Sequence, residues 1–206
     1  MHLGFALTAL AATVALPGAT ALPFSNWGNR LSSVSSSLGF KNIRSAQTCA
    51  DPSLARTIVQ GFSSLLTSHV IDFHYVFVNL NTAQGSQEAV LWSYQGAIFK
   101  AWPTQQSFTV PLFRLAKGVG IDYVFMVGPD AQTPPVLSGF VPDGGAIVAW
   151  VYDTPVCGSV PLMSAVFANQ TDHYYTTDPD EHAGLLSDGN WSDGGIVAYV
   201  LPLTTS

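Results

Sequence analysis

Asp172-His173-Tyr174-Tyr175-Thr176-Thr177-Asp178-Pro179-Asp180-Glu181, followed by Trp191-Ser192-Asp193-Gly194-Gly195-Ile196-Val197-Ala198-Tyr199-Val200, is the stretch on which the fold turns. It reads as the clearest of three related units. Val160-Pro161-Leu162-Met163 precedes it and is matched by Val110-Pro111-Leu112-Phe113. Asp172-His173-Tyr174-Tyr175 is matched by Asp122-Tyr123-Val124-Phe125 and by Asp72-Phe73-His74-Tyr75. The segment that closes each unit also recurs, at Gly195, at Gly145-Ala146 and at Gly96. Asp72, Asp122 and Asp172 are evenly spaced, and a fixed period of this size marks a repeat architecture.

Outward from that stretch, residues 160–167, 172–177 and 196–201 read as strands of the third unit. Asp178 stands as N-cap of a short helix running to about Ser187 and stopped by Gly189. Unit two gives strands over 110–115, 122–127 and 146–152. Unit one gives 70–79, 89–94 and 97–102. Asp51-Pro52 has the form of a helix start, and Leu54, Ile58, Phe62, Leu65 and Leu66 fall at helical spacing, which predicts a helix over 52–66. On this reading the first unit carries Gln60-Gly61-Phe62 where the others carry Val-Pro-Leu. One such unit leaves open strand edges and an apolar face, so three must share a core. The expected fold is all-β with short helices, a pseudo-threefold repeat closed as a β-trefoil-like barrel, or alternatively a small propeller-like arrangement. The expected organisation is a signal peptide over 1–21, a flexible leader or pro-segment over 22–47, and a single domain over 48–206 with repeats at about 60–109, 110–159 and 160–203.

Composition restricts the function. Leu3–Leu16 is nearly all apolar, is broken by Pro17-Gly18, and leads to Ala19-Thr20-Ala21, a secretory pattern. That run is too short for the ~30 Å of a bilayer's hydrocarbon core. Seven Lys and Arg against thirteen Asp and Glu, with a net charge of −6, suit neither nucleic acid nor an anionic membrane. Cys49 and Cys157 are the only cysteines, and in an oxidising compartment they are expected to pair. Asn169-Gln170-Thr171 and Asn190-Trp191-Ser192 are N-glycosylation sequons.

The third unit resembles a secreted repeat family of fungi and bacteria, domain of unknown function 5648. The resemblance rests on Pro161-Leu162, Asp172–Thr177, the acidic cap Asp178–Glu181, Trp191 and Gly195–Val200. It implies extracellular deployment, sometimes beside hydrolases acting on walls or polysaccharides, and supplies no catalytic residues.

The chemistry is therefore weighed on the residues. The repeated Asp could accept hydroxyl hydrogen bonds from a sugar, with aromatic neighbours giving apolar contact. Alternatively each locks its own turn, and recurrence in all three units favours that structural role. Asp172, His173, Asp178 and His182 match no metal-ligand spacing, so neither metal nor other cofactor is expected. The only two Glu are Glu88 and Glu181; no nucleophile has a neighbouring base, and no catalytic residue is assigned. Trp92, Trp102 and Trp150 read as core, and Trp191 as the tryptophan that faces outward. The expected function is non-enzymatic binding of a glycan or of a cell-wall or host-surface partner through Asp172, His173, Tyr175 and Trp191. The alternatives are a polysaccharide hydrolase and an inhibitor of extracellular proteases that uses the loop 128–137.

Overall fold

The computed structural model describes residues 49–83, 91–118 and 122–204, all within a compact unit spanning Arg44–Ser206. The signal peptide and leader read over 1–47 lie outside the described residues. Among the described residues nine strands form three separate three-stranded antiparallel sheets, with two short α-helices and one 3-10 turn. The first sheet holds β1 (Arg56–Ser63), β2 (Ser68–Phe73) and β3 (Ser93–Ala101). The second holds β4 (Val110–Lys117), β5 (Asp122–Val127) and β6 (Phe140–Val151). In the third are β7 (Val160–Phe167), β8 (Asp172–Thr176) and β9 (Ser192–Val200). In every sheet the first strand in sequence lies in the middle, flanked by its hairpin partner and by the returning third strand. We call each sheet with its connections a module.

The register shows how closely the modules correspond. The hairpins close on Ser63–Ser68, Lys117–Asp122 and Phe167–Asp172. Pairing to the third strand slips by a bulge immediately after Ile58, Leu112 and Leu162, three residues that are each 0 % exposed. The extra residues on the third strands are Ile98, Val148 and Val197, and two positions before each of them Gly96, Ala146 and Gly195 all take positive φ. By this register Ser68, Asp122 and Asp172 are equivalent, and Asp72 stands four residues out of step with them. Likewise Arg56-Thr57-Ile58, not Gln60-Gly61-Phe62, takes the place of Val-Pro-Leu.

Three expectations of the first unit fail, one of them because the strands read over 89–94 and 97–102 are a single strand, β3. The helix over 52–66 is a 3-10 turn, Pro52–Leu54, followed by β1. β1 is the middle strand, hydrogen-bonded on both edges, and with Thr57, Ile58 and Val59 its β-branched content suits that place. The strand over 70–79 ends at Phe73, where α1 (His74–Ala83) begins. Phe77 of α1 lies under Gly61, where an added Cβ would come within 2.6 Å of the ring. In the third module α2 (Pro179–Ser187) forms as read, with Asp178 accepting the N–H groups of Asp180 and Glu181, and Gly189 (φ 72°) following its end.

The three modules close on one another at their last strands. Trp102 pairs with Trp150, Tyr152 with Tyr199 and Leu201 with Lys100, each through two reciprocal backbone hydrogen bonds. These six residues fill two equivalent positions in each module, so the pairing runs cyclically from one module to the next. A pseudo-threefold arrangement fits this pattern; a continuous barrel wall is not shown, since single bridges connect three discrete sheets. One core cluster joins Ile58, Phe99, Leu112, Phe125, Leu162 and Tyr175 from all three modules. A second, with Ala50, Trp102, Trp150, Tyr152 and Leu201, underlies the closing bridges. The Cys49–Cys157 disulfide ties the segment before the 3-10 turn to the entry of the third module. Ala50 N–H donates to the Tyr152 hydroxyl, and Trp102 Nε1–H to the Asp51 carbonyl.

Candidate functional site at the module seams

The aspartates are interior groups that join neighbouring modules. Asp172, at the start of β8, accepts the backbone N–H of His69 at 2.8 Å, and its other oxygen lies 2.7 Å from His69 Nδ1. Asp122, at the start of β5, lies 2.8 Å from His173 Nδ1. A carboxylate only accepts, so Nδ1 of each imidazole is assigned as the donor. In both seams, therefore, an Asp at one strand position grips a His at the next position of the following module. The third seam departs from the rule. Its equivalent pair is Ser68 and Tyr123; the Ser68 hydroxyl is buried without a hydrogen-bond partner. Asp72 instead reaches Arg114 at 3.0 Å, and Arg114 Nε lies 2.8 Å from Asp143 and its guanidinium 5.9 Å over the Tyr123 ring. Burial pushes the Asp72 carboxyl up from its ordinary range, outweighing the Phe73 N–H and Arg114, which pull it down. The ring of contacts is complete: first to second module, second to third, third to first.

This placement separates the four residues expected to form a ligand site. Asp172 and Tyr175 are buried, at 5 % and 1 % exposure. Tyr175 accepts the Phe125 N–H and donates to the Tyr123 carbonyl, and burial raises its phenol far above the ordinary value. His173 is turned into the seam with Asp122. Trp191 is partly exposed, as His173 is, with its ring against Phe167 and Tyr174 at centroid distances of 5.2 and 6.2 Å. His173 and Tyr175 both line the cleft between the second and third modules, but the four share no single groove. Asn169 and Asn190 are both exposed.

Each seam opens outward as a cleft between the second strand of one module and the first and third strands of the next. Equivalent β1, β4 and β7 residues, Gln60, Arg114 and Ser164, line the three clefts, so one side chain sets much of the character of each. Between the first and second modules Arg114 fills the place, held by Asp72 and Asp143, and the cleft is about 170 Å³. Between the second and third it is about 390 Å³ and mainly apolar, lined by Val124, Met126, Leu137 and Ile196 with His173.

The cleft between the third and first modules, of about 290 Å³, has a lining of mixed polar and apolar groups. Gln60, Gln95, Tyr174, Thr177, Asp178 and Glu181 line it, with the backbone of Gly96–Ile98. Several of these groups are fixed in advance. Gln60, 2 % exposed, accepts the Tyr175 N–H; the Thr177 hydroxyl donates to the Ile98 carbonyl; and the Tyr174 hydroxyl donates to Glu181 at 2.9 Å. Burial, reinforced by Glu181, pushes the Tyr174 phenol up to about 12. Gln60 is absent from the sequence-based site because the reading of 52–66 put it in a helix, and Gln95 because it fell between the strands read over 89–94 and 97–102, where β3 is continuous. Tyr174 and Glu181 fall in the dense polar stretch of the third unit, but nothing in one strand reveals that a neighbouring module completes their cleft.

Among the described residues no three His, Cys, Asp or Glu side chains gather so that they could hold a metal ion. No described helix is long and apolar enough to cross a membrane. A family model for a domain of unknown function (DUF5648) matches residues 72–201. No curated protein and no solved structure matches the chain.

Proposed function

The chain belongs to the family of domain of unknown function 5648, and we propose that this member is a secreted, non-enzymatic protein that binds a carbohydrate of a cell wall or host surface in the cleft between its third and first modules. The observation that carries the reading is the lining of that cleft. Two carboxamides, several hydroxyls and two carboxylates converge beside a tyrosine ring, in a concavity whose walls are tied by hydrogen bonds. Sugars present many hydroxyls and a weakly apolar face, and such a mixture of donors, acceptors and ring meets both needs. Asp178 spends one oxygen on the α2 N-terminus and Glu181 accepts from Tyr174, so both are placed for hydrogen bonding. Secretion accords with the disulfide and with the apolar amino-terminal stretch. The exposed sequons Asn169 and Asn190 would then carry glycans. The closing bridges favour the propeller-like alternative for the architecture, with three sheets set around one axis.

A glycan array with the purified protein tests the proposal, followed by calorimetry on the strongest hit. We expect one site per chain, because Arg114 occupies the equivalent position at the first seam and the second is apolar. Gln95→Ala and Tyr174→Phe should each weaken binding roughly three- to tenfold, as the loss of one hydrogen bond does. An array without hits, or release of reducing ends from an oligosaccharide, would overturn it; the latter would establish the hydrolase.

A further inference from the structure

The charge of the same cleft has a consequence for selectivity. Resting on the binding site proposed above, we infer that the ligand is a glycan of amino sugars carrying free, protonated amines, and that Glu181 with Asp178 is what selects it over uronic-acid, sulfated or sialylated chains. Of the side chains lining the cleft, two are carboxylates and none is Lys, Arg or His. The chain as a whole carries a net charge of −6, so no long-range field offsets them. The other two seams differ: one contains Asp72 paired with Arg114, and the other His173 and no carboxylate. Negative charge is thus concentrated at the one seam whose remaining groups suit a sugar.

The carboxylates are also constrained. Glu181 is oriented by the Tyr174 hydroxyl, and Asp178 by the N–H groups of Asp180 and Glu181. Holding two anions beside one cleft costs mutual repulsion that a bound ammonium relieves. A hydrogen bond from an ammonium to a carboxylate is about twice as strong as one between neutral groups. An acidic glycan would bring like charge to the same wall and meet no cation there.

Three tetrasaccharides separate the outcomes: glucosamine, N-acetylglucosamine and galacturonate, measured by calorimetry with the full secreted chain at a pH that protonates the amine. Glucosamine should bind roughly tenfold tighter than N-acetylglucosamine, with galacturonate weakest, and added salt should erode that margin. Glu181→Gln, which keeps an acceptor for Tyr174, should bring the ratio between the first two close to one. Asp178→Asn, which keeps the helix cap, should reduce it less. Thermal midpoints near that of the parent establish that both variants are folded. Equal binding of the two glucosamine forms, or tighter binding of galacturonate, overturns the inference and leaves the sugar site standing. Binding of none of the three, together with an empty glycan array, defeats both.

Discussion

Asp172 and Asp72 look alike in sequence and are predicted to differ in their contribution to stability. Asp172 accepts from both the backbone and the ring of His69 inside the protein. Asp172→Ala would leave two buried donors unmatched and should cost about 3–5 kcal/mol in chemical denaturation. Asp72 is a carboxylate whose burial outweighs its pairing, and its Arg114 partner keeps Asp143. Asp72→Asn preserves an acceptor for the Phe73 N–H and should change stability by less than about 1 kcal/mol. The tyrosines set an alkaline limit. Burial and Glu181 hold the Tyr174 phenol up near about 12, so the folded state keeps a proton that the unfolded chain releases near its ordinary value of 10.0. Stability should therefore fall as pH rises through that window, with buried Tyr175 adding in the same direction. Denaturant midpoints at about pH 9 and about pH 11 check the sign, and Tyr174→Phe should reduce the difference. The sequence announced the aspartates as repeated. It could not reveal that one of them belongs to a different strand position, because the spacing of Asp72 imitates the period while Ser68 occupies the equivalent place.

At the scale of elements, local signals succeeded where local forces decide. The N-cap Asp178, the α2 segment and the strands of the second and third modules all follow from caps and alternation. They failed over 52–66, where apolar residues at helical spacing also satisfy a central strand covered on both faces. There, tertiary pairing to β2 and β3 decided the outcome. The same register explains which glycines are fixed by packing. At Gly128, just after β5, a Cβ would lie 2.5 Å from the Phe113 ring and 2.9 Å from the Thr133 carbonyl. A backbone oxygen cannot turn away as a side chain can, so Gly128→Ala should destabilise by about 1–3 kcal/mol. Gly145→Ala, with nothing within 4 Å of the added atom, is the control and should be nearly neutral. A thermal midpoint measured for both variants makes the comparison.

Across the whole molecule, the three modules depend on one another at two levels: side-chain pairs at the seams and backbone bridges at the closing ends. No module buries its own strand edges, so the domain should unfold in a single transition. The disulfide spans a sequence separation of 108, and its removal by Cys49→Ser with Cys157→Ser should cost about 4–5 kcal/mol in the chain-entropy view. Denaturation of the variant against the oxidised parent measures that loss. The clefts also belong to this scale, since each takes its walls from two modules, and for that reason the binding residues were the least legible part of the sequence. The most direct test is an NMR titration of isotope-labelled protein with the tightest-binding oligosaccharide from the array. Our account predicts that amide shifts move first at Gln60, Gln95–Ile98 and Tyr174–Glu181, on both walls of the cleft between the third and first modules. Shifts confined to Phe167 and Trp191, or to the other two seams, would contradict it.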